Sequence, residues 1–349
     1  MKALKFHGAW DVELTEVGTL HATGPDDVVV DVKFCGICGT DLAIVSGAYP
    51  VAQRGVTLGH EATGIVAEIG ADVSTVRVGD RVVINPTPSC GTCRMCTSGR
   101  ANHCVNKVGT ESGVSYDGAF AGRFRTTSPY VHVLPEHVPL EAAALTEPLS
   151  CVLGGVRQLD LTTPSAFTFV FGAGPLGLMY SWALALRGVV PVVIEQSPSR
   201  LELAPSRLPS GVRAYASLDE ARAKHFHDPA CPIDLVVDTT TGLLDELYPQ
   251  MSCGSTYLSV GLKARQVAID TMHLADRSLT ILGSIDSRDG SFTEAFNLIA
   301  SGIFPARRLV SDVVPLADFA RGFAVLGCDI GRRQMTPAPV GSCKVLLQV

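Results

Sequence analysis

The sequence predicts an α/β chain of two domains, one rich in short β-strands and one a doubly wound parallel sheet, the second inserted into the first. Three observations predict it. At 349 residues the chain exceeds what one hydrophobic core serves, since single cores stop growing at roughly 250–300 residues. Up to about residue 150 the strands are short and alternate apolar with polar residues, whereas from about Ser165 they are continuously apolar and alternate with helical stretches. Strands buried on both faces read in that second way. Beyond Ser284 there are two helical stretches and one strand, too few for a third domain.

Taken in order, "MKALKFHGAWDVELTEV" alternates like a strand, and "DVVVDVKF", "ATGIVAEIG", "DRVVINP" and "YVHVLP" follow between Gly, Pro and Asp punctuation. These place residues 1–150 in the β-rich domain. The apolar strands "AFTFVF", "VVPVVIE", "DLVVDT", "TYLSVG" and "LTILGS" place the parallel sheet in residues 151–285. In residues 286–349, "FTEAFNLIASG" and "ADFARGFAVLG" read as amphipathic helices and "CKVLLQV" as a closing strand, which return to the first domain.

Composition narrows the function. Hydrophobic residues make up 46% and charged residues 18%, which supports large cores and argues against disorder. A formal charge of -6 without any Lys/Arg-rich run offers nothing to a phosphate backbone or an acidic membrane, so no nucleic-acid and no membrane partner is expected. No stretch reaches the roughly 18 apolar residues of a membrane span, and the N-terminus lacks the apolar centre of a signal peptide. A cytoplasmic protein is the expectation. Eleven cysteines, odd in number and clustered, then read as metal ligands rather than disulfides.

"FTFVFGAGPLGLMYSWALALRG" sets Gly172, Gly174 and Gly177 between an apolar strand and a helix. The first glycine allows a tight turn, the second a close backbone approach to a pyrophosphate, and the third close strand–helix packing, so the run Gly172, Gly174, Pro175, Leu176, Gly177 is a candidate dinucleotide cradle. Glu195, ending the next strand, stands where an acid would accept hydrogen bonds from the adenosine ribose and repel a 2'-phosphate, which favours NAD. It could equally cap the helix beginning near Pro198. Arg200 in the same turn could hold a phosphate, which keeps NADP as the alternative.

"SCGTCRMCTSGRANHC" supplies Cys90, Cys93, Cys96 and Cys104, whose four thiolates can close a tetrahedral shell around a structural zinc. Ferredoxin-like runs use similar spacing for iron–sulfur clusters. A zinc-ribbon binding module would bring basic residues, and the loop holds only Arg94 and Arg100. Further along the chain, Cys38 in "FCGICGTD", His60 and Glu61 in "TLGHEATG" and Glu147 in "LTEPLSC" supply the mixed S/N/O set of a catalytic zinc with one open position.

"GICGTD", "GHEATGIVAEIG", "VGDRV", the four-cysteine loop, "DGAFA", "EPLS" and "GAGPLG" occur in the order found in the zinc-dependent medium-chain dehydrogenases, and the chain resembles their polyol and sugar branch most. The resemblance runs nearly end to end. It implies a GroES-like catalytic domain around a Rossmann cofactor domain, with the active site in the cleft between them. It makes Cys38 and His60 zinc ligands, with Glu61 and Glu147 as alternates for the third place. It makes Asp41 the acid that orients the His60 imidazole and Thr40 the hydroxyl that takes the substrate proton. Cys35 becomes a buried bystander, because a thioredoxin-like pair would open a helix rather than close a strand. Cys151 lines the nicotinamide pocket or is packed.

The implied reaction is hydride transfer between a secondary alcohol of a polyol, sugar or cyclitol and NAD(H), in a homodimer or homotetramer. The rivals are a ketone reductase acting on an aminocyclitol or sugar intermediate and an inactive NAD-binding homologue. Two departures from the family pattern stand out. Ala43 replaces a histidine that passes the proton outward in relatives, so water would finish the relay. "GSIDSRDGSF" replaces an Arg-Tyr pair, leaving Asp286 and Arg288 either as contacts to a polar or amino-bearing substrate or as a solvated loop.

Overall fold

The computed structural model describes residues 1–107, 109, 111–162, 166–262, 265–288, 290–339 and 341–349. They divide into two compact units, Met1–Ser150 with Asp286–Val349, and Cys151–Ile285.

The first unit is organised by the strand Asp27–Gly36, whose Val28, Val30 and Val32 are buried in its core. Among the described residues its sheet has seven strands. The order is Val310–Pro315, Lys344–Gln348, Asp27–Gly36, Glu61–Ile69, Arg81–Ile84 and Val131–Val133, with Arg123–Thr127 beside Asp27–Gly36. The C-terminal strand thus lies next to the strand that leads to Cys38. Register places Gly36 opposite both Glu61 and Leu346, and Cys35 opposite both Ala62 and Leu347. Gly36 is required there, because a Cβ would fall 1.9 Å from a Glu61 carboxylate oxygen. The N-terminal stretch is a hairpin, Lys2–Gly8 with Asp11–Glu16, not one strand; the chain reverses at Trp10, whose φ is 61°.

The core of this unit draws Leu4, Val30, Leu58, Phe120, Phe323 and Leu347 from the hairpin, sheet, loops and C-terminal helix. Each such side chain contributes about 1.5–3 kcal/mol by leaving water. Phe120 and Phe323 meet edge to face, with ring centroids 6.4 Å apart. These long-range contacts fix the ends of the strands from which the site residues project.

The second unit is a parallel sheet of six strands among the described residues, in the order Arg213–Tyr215, Val192–Ile194, Thr168–Phe171, Ile233–Asp238, Met251–Ser259 and Thr280–Gly283. The strand order reverses at Thr168–Phe171, the pattern that opens a ligand crevice at the carboxyl ends of such strands. Phe169, Ile194, Val236 and Tyr257 fill its core. Arg213–Tyr215 was not foreseen: "RAY" at the sheet edge carries no apolar run.

Candidate functional site

The chain passes from strand to helix at Cys38. That residue is extended (φ -97°, ψ 158°) and caps the helix Gly39–Ser46, its N–H donating to Asp41 Oδ2 at 2.8 Å. Here the expectation that Cys38 closes a strand needs correction, because it opens a helix, as a redox pair would. Cys35 nevertheless remains a poor redox partner. It is fully buried in the preceding strand, and burial, together with the Asp41 and Glu61 carboxylates, pushes its thiol well above the ordinary range.

His60 ends the loop before the strand Glu61–Ile69 and is buried. Its Nδ1 stands 3.8 Å from Asp41 Oδ1, and neither atom has a hydrogen-bond partner. Two buried polar atoms left to face each other compensate one another electrostatically, and they aim Nε2 away from the acid, where a metal can use it. Burial alone would lower the imidazole's pKa. The Asp41 carboxylate and the Cys38 thiol outweigh burial and hold it well above the ordinary value.

Ligand atoms of Cys38, His60 and Glu61 all lie within 4.8 Å of one another. A soft sulfur, an imidazole nitrogen and a carboxylate oxygen at that separation fit a zinc ion that keeps an open position. Thr40 Oγ1 lies 3.7 Å from Cys38 Sγ. Glu147, in the first turn of the helix Thr146–Val156, is buried but stands outside that trio.

One participant escaped the sequence reading. Lys344 Nζ, buried in the C-terminal strand, donates to both Glu61 oxygens at 2.6 and 2.7 Å and to the Ile37 carbonyl at 3.2 Å. Burial disfavours its charge, but the Glu61 carboxylate and the Cys38 thiol more than restore it. The only sequence signal was a lone cation inside the apolar run "CKVLLQV".

The four-cysteine loop folds tightly. Sγ separations are 3.5 Å for Cys93–Cys96 and 3.9 Å for both Cys90–Cys96 and Cys93–Cys104. A tetrahedron with zinc–sulfur arms of ~2.3 Å has edges of ~3.8 Å. The four sulfurs therefore fit one ion and leave no space for a multi-iron cluster. Hydrogen bonds from Thr92 and from the Cys93 N–H lower the Cys90 thiol to about 5, which favours the thiolate form that a metal takes.

In the second unit Gly172 turns at φ 99°. A Cβ on Gly177 would fall 1.8 Å from the Gly172 carbonyl oxygen, while one on Gly174 would meet nothing within 4 Å. Gly174 caps the helix Pro175–Ala185, with Pro175 at its first position and Leu176 next. Open space thus lies over N–H groups at a helix start, where a pyrophosphate binds. Glu195 is buried and accepts from the N–H groups of Ala173 and Ser197, both at 2.7 Å. It therefore joins the glycine turn to Ser197, the cap residue of the helix Pro198–Arg207, in line with the second of the roles anticipated for it. Arg200, 40% exposed, is 3.9 Å from it.

Asp238, at the end of its strand, was also missed. It accepts from the N–H groups of Thr240, Thr241, Gly242 and Leu243 and from the Tyr257 hydroxyl, which ties the following loop down. In that loop Thr239 Oγ1 donates to the Phe171 carbonyl just before the glycine turn.

Asp286 is not a solvated loop residue. Its carboxylate accepts from Thr87 Oγ1 at 2.6 Å, faces Lys107 Nζ at 3.5 Å and lies within 4.8 Å of a Glu147 carboxylate oxygen. Arg288 is half-buried. Among the described residues no helix is long and apolar enough to cross a membrane.

The family model for the alcohol dehydrogenase GroES-like domain matches residues 24–136. A probable D-xylulose reductase A of Aspergillus clavatus is 31% identical over 316 residues, covering 86% of each chain. Among solved structures, a putative zinc-binding dehydrogenase from Sinorhizobium meliloti bound to NADP superposes with a TM-score of 0.85 at 27% identity, covering 100% of this chain and 99% of that one. For 2R,3R-butanediol dehydrogenase from Bacillus subtilis the values are 0.83 and 25%, with the same coverage.

Proposed function

Because this chain belongs to the zinc-type medium-chain alcohol and polyol dehydrogenases, we propose that it moves hydride between a carbinol carbon of a polyol, sugar or cyclitol and NAD(H). The observation that carries the reading is the convergence of Cys38, His60 and Glu61, with Asp41 buried behind the imidazole. Cys38, His60 and Glu61 hold the catalytic zinc, Glu61 using lone pairs that Lys344 leaves free, and Glu147 acts through water. Cys90, Cys93, Cys96 and Cys104 hold the structural one.

When bound, zinc supplies the Lewis acidity that acidifies a carbinol hydroxyl, and the nicotinamide supplies the hydride acceptor. The protein's own groups orient and deprotonate. Asp41 keeps the His60 ring in one orientation. Thr40 accepts the hydrogen bond of the substrate hydroxyl and relays its proton, which water carries outward past Ala43. The glycine turn from Gly172 to Gly177 seats the pyrophosphate. Glu195, a buried carboxylate fixed by two N–H groups, receives the adenosine ribose, and its charge disfavours a 2'-phosphate.

A panel of polyols, sugars, cyclitols and simple secondary alcohols, assayed for NADH and NADPH formation, tests the proposal. Oxidation of at least one polyhydroxy substrate with kcat/KM at least tenfold higher for NAD is expected. No turnover in either direction by protein carrying its full zinc content would refute it.

A further inference from the structure

We propose that Lys107 and Asp286 are specificity-determining residues that grip one substrate hydroxyl beyond the reacting carbinol, selecting neutral polyols over simple alcohols, amino alcohols and hydroxy acids. The inference rests on the assignment of the Cys38, His60 and Glu61 trio as the reacting centre.

Both side chains are more than nine-tenths buried, at 9% and 7% exposure, yet they stand 3.5 Å apart. A charge-assisted N–H···O bond closes to roughly 2.7–2.9 Å. The pair is therefore loose, although a buried ammonium needs acceptors for three N–H groups. Among the described residues, Asp286 alone accepts a hydrogen bond from Lys107 Nζ. The Asp286 carboxylate is otherwise fixed, accepting at Oδ1 from Thr87 Oγ1 and from the Ser287 N–H, both at 2.6 Å. A Glu147 carboxylate oxygen lies within 4.8 Å of it, and Glu147 is near enough to His60 to act on the charge of its imidazole. Glu111 shares this environment: burial, with Asp286 adding to it against His60 and Lys107, pushes its carboxyl up to about 7.

The chemistry of the gap selects its occupant. A hydroxyl accepts from Lys107 and donates to Asp286 at once, satisfying both. An amine offers Lys107 no acceptor and brings a second cation against it. A carboxylate meets Asp286 and Glu147. An alcohol lacking the second hydroxyl leaves the loose pair as it stands. Sites built to bond a substrate hydroxyl reject analogues without it by as much as ~10⁵-fold.

The test compares kcat/KM for xylitol, 2,3-butanediol and 2-butanol in the zinc-loaded wild type and in Lys107→Gln, Lys107→Met and Asp286→Asn. Thermal midpoints and zinc content report on folding. The wild type should favour the better hydroxylated substrate over 2-butanol by about 100-fold or more. Each variant should reduce that ratio at least tenfold, mainly through KM, while 2-butanol turnover stays within about threefold of wild type. An equal loss on all substrates with intact zinc content would make the pair structural and overturn the inference, as would a wild type that does not discriminate, a result that needs no variant to fold. If the wild type oxidises none of the three nor any other alcohol, the functional assignment itself falls, an outcome distinct from turnover without discrimination.

Discussion

Lys344 shows how a residue far away in sequence can decide the state of a site. It enters the buried space beside Cys38 only because the C-terminal strand pairs with Asp27–Gly36, and there it neutralises Glu61. Removing one partner of a buried ion pair leaves the other charge uncompensated, at a cost of about 3–5 kcal/mol. In metal-free protein Lys344→Met should therefore lower stability in urea by about that amount, and adding Glu61→Gln should recover most of it. A single variant within 1 kcal/mol of wild type would show that the pair has no such role. The metal-site residues themselves were legible, because sulfur, imidazole and carboxylate ligands sit in short glycine-flanked motifs. Lys344 and Lys107 were not, since an isolated lysine carries no local pattern and its meaning arises from strand pairing or burial.

At the scale of elements, the glycine turn was readable because each glycine answers a separate steric demand, from the positive φ at Gly172 to the tight contact at Gly177. The hinge of the CxxC stretch was misread, since only the reciprocal bonding of Cys38 and Asp41 reveals that a helix begins there. The loop after Ile233–Asp238 was opaque for a similar reason: "DTTTGL" reads as a generic turn until the Asp238 carboxylate gathers four N–H groups and a tyrosine hydroxyl. Burial raises that carboxyl's pKa, but these donors outweigh burial and hold it below 3.8. The folded value is depressed, so the stability this group contributes is complete above the unfolded pKa and is lost as pH falls through the folded value. Asp238→Asn should lower the thermal midpoint at pH 7 by several degrees, and the gap to wild type should narrow as pH falls below about 4. A gap that stays constant from pH 7 to pH 3 would show that the donors do not stabilise the charge.

For the molecule as a whole, the change from alternating to continuously apolar strands revealed the parallel sheet, because helices on both faces exclude water from every position of such strands. The edge strand Arg213–Tyr215 and the N-terminal reversal at Trp10 lacked that contrast. The residues assigned to the nucleotide lie in Cys151–Ile285 and those assigned to metal in the other unit, so the two functions should separate on mutation. The most direct measurement of the central claim is metal content beside NADH binding and turnover in wild type and Cys38→Ser. Wild type should carry about two zinc ions per chain, and the variant about one, with NADH affinity within about threefold of wild type and no measurable turnover. A variant that keeps both ions, or one that loses NADH binding together with its metal, would contradict the assignment of Cys38 to a catalytic centre.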